Sequence, residues 1–109
     1  MIHIHLDIRN TRFHSLKISG HEIKKSQLAL VCNSVSILGQ NFAESLLVLT
    51  PKSKYSLKSN SGLLEITALS HSKESFLTCE ILLKSFLIGV EKIKRIHTDE
   101  IKLNISTSS

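Results

Sequence analysis

The sequence predicts an α+β fold, an antiparallel or mixed sheet covered by two long helices, in the order strand-strand-helix-strand-strand-helix-strand. Three observations predict it. Apolar residues alternate at the beginning of the chain, with Ile2, Ile4, Leu6 and Ile8 on one face. Two later stretches change to a helical period of three and four residues. A turn signal, Asn60-Ser61-Gly62, separates two short strands lying between those stretches.

The elements follow in order. Residues 2–9 read as a strand, Asn10-Thr11 as a tight turn, and residues 12–19 as a second strand with Leu16 and Ile18 facing the core. Gly20 ends this hairpin. From about Ser26 to Leu49, the residues Leu28, Val31, Cys32, Val35, Leu38, Phe42 and Leu46 form the stripe of an amphipathic helix. Pro51 marks its end. Strands are predicted at 53–59 and 63–69. A second helix over 73–95 buries Phe76, Cys79, Leu83, Phe86, Val90 and Ile93, with Lys92, Lys94 and Arg95 opposing the negative end of its dipole. A last strand, Ile101 to Ile105, precedes a tail, Ser106 to Ser109, predicted to fray. The crossover through the second helix allows this strand to lie parallel to a neighbour.

The 109 residues suit one domain spanning 1–109, and a hydrophobic content of 41% suffices for one core. No apolar run reaches the roughly 20 residues that cross a bilayer, so no membrane role is expected. The alternating start differs from the basic and then continuously apolar pattern of a signal peptide, which predicts a cytoplasmic protein. Cys32 and Cys79 make no disulfide framework and are expected as free thiols. The formal charge of +5 favours weak attraction to acidic surfaces. The lysines are scattered, however, and one Tyr with no Trp gives no stacking platform, so no direct nucleic-acid partner is required.

His3 and His5 share a strand face and His14 lies on the paired strand, but no further ligand stands at a convincing spacing. They are read as surface imidazoles, and no metal site is predicted. No phosphate-binding loop, dinucleotide fingerprint or nucleophile elbow appears, and no cofactor is expected. Cys79 falls on a buried stripe and is read as a core residue. His71 and His97 stand near the ends of the second helix.

The chemistry concentrates elsewhere. Ser19-Gly20-His21-Glu22 places an imidazole just after a strand, and Leu30-Val31-Cys32-Asn33-Ser34-Val35-Ser36 places a thiol early in the following helix. A helix start and a neighbouring imidazole both favour the thiolate, the nucleophilic form. Backbone N–H groups there can also stabilise an oxyanion. Read from spacing alone, Cys32 is better accounted for as a small core hydrophobe than as a nucleophile.

These two segments resemble the ribosomal-processing cysteine protease family Prp. Its members carry Gly-His-Ala after a hairpin and a helix opening with Asp-Ile-Val-Cys-Ala-Ala-Val-Ser. Gly20-His21-Glu22 is similar to the first piece, and Leu30 to Ser36 to the second. The resemblance implies a Cys32–His21 dyad, with Gly20, Glu22 and Ser36 supporting it or the substrate. It implies a cysteine endopeptidase that removes the N-terminal extension of a large-subunit ribosomal protein precursor, working as a homodimer. The chain departs from the family pattern at Ala29, where an acidic residue is usual, at Glu22, where a small residue is usual, and in the glycine-free Ile23-Lys24-Lys25-Ser26-Gln27. Those departures define the alternative: a weakened or inactive Prp-like protein that binds its partner in ribosome assembly without cutting it.

Overall fold

The computed structural model describes residues 1–20, 26–51, 54–60, 62–70, 72–97 and 99–109, with 26–32 described as helical backbone alone. The elements are β1 (Ile2–Arg9), β2 (Arg12–Gly20), α1 (Ser26–Leu49), β3 (Tyr55–Asn60), β4 (Leu63–Ala68), α2 (Lys73–Ile96) and β5 (Ile101–Ser108). Their order is the predicted one. The strands form one five-stranded mixed sheet in the order β3-β4-β2-β1-β5. β1 and β2, β2 and β4, and β3 and β4 pair antiparallel. β5 pairs parallel to β1, as the α2 crossover allows.

The β1–β2 turn is tight because Asn10 and Thr11 both adopt positive φ, 52° and 63°. That combination matches the right-handed twist of a two-residue hairpin. The β3–β4 hairpin closes through Gly62 at φ 81°, a conformation glycine adopts without strain. Ser61 of the predicted turn lies outside the described residues.

β2 departs from simple alternation. Asp7 pairs with Ser15 and Ile8 with Phe13, so His14 is the extra residue of a bulge. The bulge resets the side-chain phase and brings Phe13 into the core beside Leu16 and Ile18. Strict alternation from Leu16 and Ile18 had no place for Phe13.

Both helices lie on one face of the sheet, since one core cluster joins their buried sides to it. Phe42 of α1 sits at its centre. Its ring meets Phe13 edge-on at 5.5 Å and Phe86 of α2 at 5.7 Å. Gly39 brings α1 close to the sheet: a Cβ there would overlap Ile18 Cδ1 and lie 2.8 Å from Leu64 Cδ2. Ser72 caps α2, accepting from the Ser75 N–H at 3.2 Å, and Lys94 and Arg95 stand in its last turn. α1 ends where Thr50 turns back, donating through both its N–H and its hydroxyl to the Leu46 carbonyl.

Two expectations are corrected. Ser106 to Ser108 are not frayed but continue β5, because β1 extends to Arg9 and offers partners through that length. The ladder ends with the Asn10 N–H donating to the Ser108 carbonyl at 2.9 Å. Phe76 and Ile93 are half-buried instead of sealed, Phe76 with the Arg12 guanidinium 5.3 Å from its ring centre.

Phe42→Ala removes the ring joining both helices to β2. It is expected to cost about 3–5 kcal/mol, measured by urea unfolding. Gly39→Ala gains helix propensity but overfills the contact with Ile18 and Leu64. The expected outcome is a net loss of roughly 1 kcal/mol in the same assay.

Candidate functional site

The end of β2, the start of β1 and the turn before β4 meet at one end of the sheet. Gly20, the last residue of β2, pairs with Ile2 at the beginning of β1 and donates its N–H to the Gly62 carbonyl at 3.2 Å. The chain is thus held in place up to Gly20, the residue before His21. His21 and Glu22 themselves, with Ile23, Lys24 and Lys25, lie outside the described residues.

α1 is helical from Ser26, so Cys32 is its seventh residue and stands almost two turns in. The first turn carries no acidic residue. At that depth the positive end of the helix dipole has faded, so thiolate formation at position 32 needs a neighbouring base more than it needs the helix. Ser36, one turn further on, is exposed and accepts a hydrogen bond from Gln40 Nε2 at 3.3 Å. Val35 beside it is fully buried. The boundary between core and solvent therefore runs along this side of the helix. Gln40 had no place in the sequence reading, although its spacing of four residues from Ser36 is the ordinary spacing of a helical pair.

Glu100 stands at the same end of the sheet, just before β5. Its backbone carbonyl accepts from the Ile2 N–H at 2.9 Å. Its side-chain Oε2 is enclosed and has no hydrogen-bond partner among the described residues. No motif marked it, because its proximity to Gly20 arises only from the pairing of β5 to β1 and of β1 to β2.

The second thiol behaves differently. Cys79 lies in α2 with 3% of its surface exposed, the core position expected of it. Burial pushes its pKa up, the Glu80 carboxylate adds to the rise, and a hydrogen bond with Tyr55 opposes it. The Tyr55 hydroxyl is raised as well, chiefly by burial and then by Cys79. Both groups stay protonated near neutrality, so Cys79 is a poor nucleophile.

A cleft of about 260 Å³ opens at the other end of the sheet, between α2 and the β1–β5 pair. Phe76, Leu83, Leu87 and Ile105 line it, with Cys79 in its wall and Glu80 and Lys84 at its rim. It lies far along the sheet from Gly20. The three histidines weighed for metal do not form a site. His3 and His5 are exposed, His5 Nε2 lies 3.3 Å from Ser106 Oγ, and His14 occupies the bulge. No group of three or more His, Cys, Asp or Glu able to hold a metal ion occurs among the described residues.

Comparison with known proteins adds what this geometry leaves open. Residues 1–102 match the family model described as Cysteine protease Prp. No curated protein sequence matches. Among solved structures, SMU.848 from Streptococcus mutans is similar with a TM-score of 0.80 and 22% identity, over 98% of each chain. The essential ribosomal processing protease Prp from S. aureus, in complex with a substrate peptide, is similar with a TM-score of 0.82 and 14% identity, over 97% of this chain and 100% of that one. The same protease with a covalently linked product peptide gives a TM-score of 0.77 and 17% identity. At these identities the structural matches show a shared fold.

The raised thiol predicts a pH response. Above roughly pH 8.5 the unfolded chain releases the Cys79 proton while the folded chain retains it. The unfolded state then binds fewer protons, so stability falls as pH rises. Below that pH this thiol contributes no slope. Cys79→Ser, which keeps a hydroxyl for Tyr55, is expected to flatten the decline in urea midpoint between about pH 8.5 and 10.

Proposed function

The chain belongs to the Prp family of cysteine proteases, and from that premise we propose that it is a cysteine endopeptidase removing the N-terminal extension of a large-subunit ribosomal protein, with Cys32 as nucleophile and His21 as base. The observation that carries the reading is the family match over residues 1–102, which spans both the Gly20-His21 and the Leu30-Val31-Cys32 segments. The S. aureus relative, captured with a substrate peptide and with a covalently linked product peptide, supports a peptide substrate and a covalent step. The reading carries with it a cytoplasmic homodimer. No helix among the described residues is long and apolar enough to cross a membrane.

The chemistry is acyl transfer. His21 takes the Cys32 thiol proton, and the thiolate attacks the scissile carbonyl. The C–N bond breaks as the imidazolium returns its proton to the leaving amine, leaving a thioester on Cys32. Water, deprotonated by His21, attacks the thioester, and the carboxylate product and the thiol separate. Gly20, pinned by Ile2 and Gly62, precedes His21 directly, while Glu22 follows His21 and Ser36 stands four residues after Cys32.

The position of Cys32 within α1 favours a second reading, a Prp-like protein that holds its ribosomal partner without cleaving it. Seven residues into a helix with no acidic residue in its first turn, the thiol has little help from the helix end. The two readings separate by experiment. Precursor peptides carrying the extension are expected to be cleaved, with Cys32→Ala and His21→Ala each slowing cleavage by about a thousand-fold or more. Iodoacetamide is expected to label Cys32 with a midpoint below roughly pH 8.5, and His21→Ala to move that midpoint up. Peptide binding with no cleavage, and a Cys32 reacting as an ordinary thiol, would establish the binding protein instead.

A further inference from the structure

We propose that the face of the sheet turned away from the helices is a docking surface for single-stranded RNA, with His3 and His5 as its stacking rings. This goes beyond the cleavage reading and does not rest on it.

The topology carries the first argument. Both helices pack on one face of the five-stranded sheet, so the residues that alternate with the core positions share the other face. Among the described residues no helix or strand lies over it. The pairing register fixes what that face displays. Asn104, His5, Lys17, Glu65 and Lys58 stand side by side in one row that crosses all five strands. In the next row Lys102, His3 and Ser19 are neighbours. Four inter-strand spacings make such a row roughly 19 Å wide.

Charge carries the second. Asp7 belongs to this face, and the Arg9 guanidinium holds it at 3.1 Å. Glu65 lies in register between Lys17 and Lys58. Lys17, Lys58 and Lys102 thus surround a single carboxylate that has no ion-pair partner among the described residues. The face is complementary to a polyanion.

The imidazoles carry the third, because they narrow the polyanion to a nucleic acid. His3 and His5 are exposed and belong to no metal cluster among the described residues. Two positions along a strand lie roughly 6.6 Å apart, so each ring offers its own platform to a splayed base. Contact of His5 Nε2 with Ser106 Oγ at 3.3 Å steadies one of them. A count of Tyr and Trp misses this platform, since imidazole also stacks on bases. A duplex keeps its base faces stacked inside and has no use for the rings. The Ser19 hydroxyl beside His3 and the Asn104 amide beside His5 both donate and accept, which suits the 2′-hydroxyl of RNA. A protein partner would need an apolar centre, and the half-buried Leu63 is the one large aliphatic residue on this face among the described residues.

The test titrates the whole chain into a labelled single-stranded RNA of about ten nucleotides, at low salt and about pH 8.5, and reads fluorescence anisotropy. The expected dissociation constant is roughly 10 µM, rising with salt. Lys17→Gln and Lys102→Gln are each expected to lower the slope of log affinity against log salt by about 0.7. The double variant His3→Ala, His5→Ala is expected to weaken binding about ten-fold at an unchanged slope, and His3→Phe, His5→Phe to restore it. Lys92→Gln on α2 is expected to stay within about two-fold of the wild type. Circular dichroism is expected to be the same for all, since each side chain is exposed. An absence of binding, or a loss in Lys92→Gln equal to that in Lys17→Gln, overturns the surface. Equal affinity for inorganic polyphosphate or for duplex RNA overturns the stacking role, and so does a histidine double variant that binds as the wild type does. Equal affinity for DNA of the same sequence overturns the assignment to RNA. Self-association abolished by Lys17→Gln, with no RNA bound, gives the face to a second copy and overturns the proposal.

Discussion

One aromatic contact holds the two layers together. Phe42 is almost fully buried and touches Phe13 on β2 and Phe86 on α2, so a single ring links the central hairpin to both helices. Phe13 reaches it only because the bulge at His14 shifts the phase of β2 by one residue. Downstream of the bulge, β2 returns to regular alternation with Leu16 and Ile18 inward, and it keeps that register to Gly20. The position of the residue before His21 is therefore set by packing at the far end of the same strand. On the other helix-to-sheet contact, Gly39 lets α1 settle against Ile18 and Leu64. The candidate histidine and the candidate thiol both leave from elements locked by these contacts.

The two cysteines show what environment does to one functional group. Cys79 is enclosed in the core, and burial together with the Glu80 carboxylate favours the neutral thiol against the opposing hydrogen bond with Tyr55. Cys32 belongs to the helix that follows the pinned end of β2, on the stretch where Val35 is buried and Ser36 exposed. Because α1 starts at Ser26 with no acid in its first turn, the helix end supplies little of the activation a thiolate needs. In the proposed dyad the base therefore matters more than it would for a cysteine in the first helical turn.

Element type and order were legible in the sequence because the apolar periods were long and clean. The alternation of Ile2, Ile4 and Leu6, and the helical stripe of Cys79, Leu83, Phe86 and Val90, are buried as read. The misreadings have local causes. The bulge at His14 breaks the two-residue period with no Gly or Pro to announce it, so Phe13 escaped notice. The polar run Ser106 to Ser108 looks like a tail until β1 is seen to extend beside it. The proposed dyad rests on two motifs, Gly20-His21 and Val31-Cys32, and spacing along a chain says nothing about the distance between two side chains. Glu100 was illegible altogether, since only the order of three strands brings it near Gly20.

The same strand order gives the molecule its two unlike ends and its unlike edges. An α-helical crossover must return the chain parallel to β1, and the next free position beside β1 is outside β2, at the rim of the sheet. α1 and α2 pack on each other and over the centre, so the rim strand receives less cover. β5 thereby keeps Ile101 and Leu103 on its helix side, while Ile105, further from the crossover, is left 53% exposed. The covered centre and the open rim of the sheet are thus consequences of one topology: the β1–β2 hairpin holds Leu6, Leu16 and Ile18 under the helices, and α2 delivers β5 to the rim.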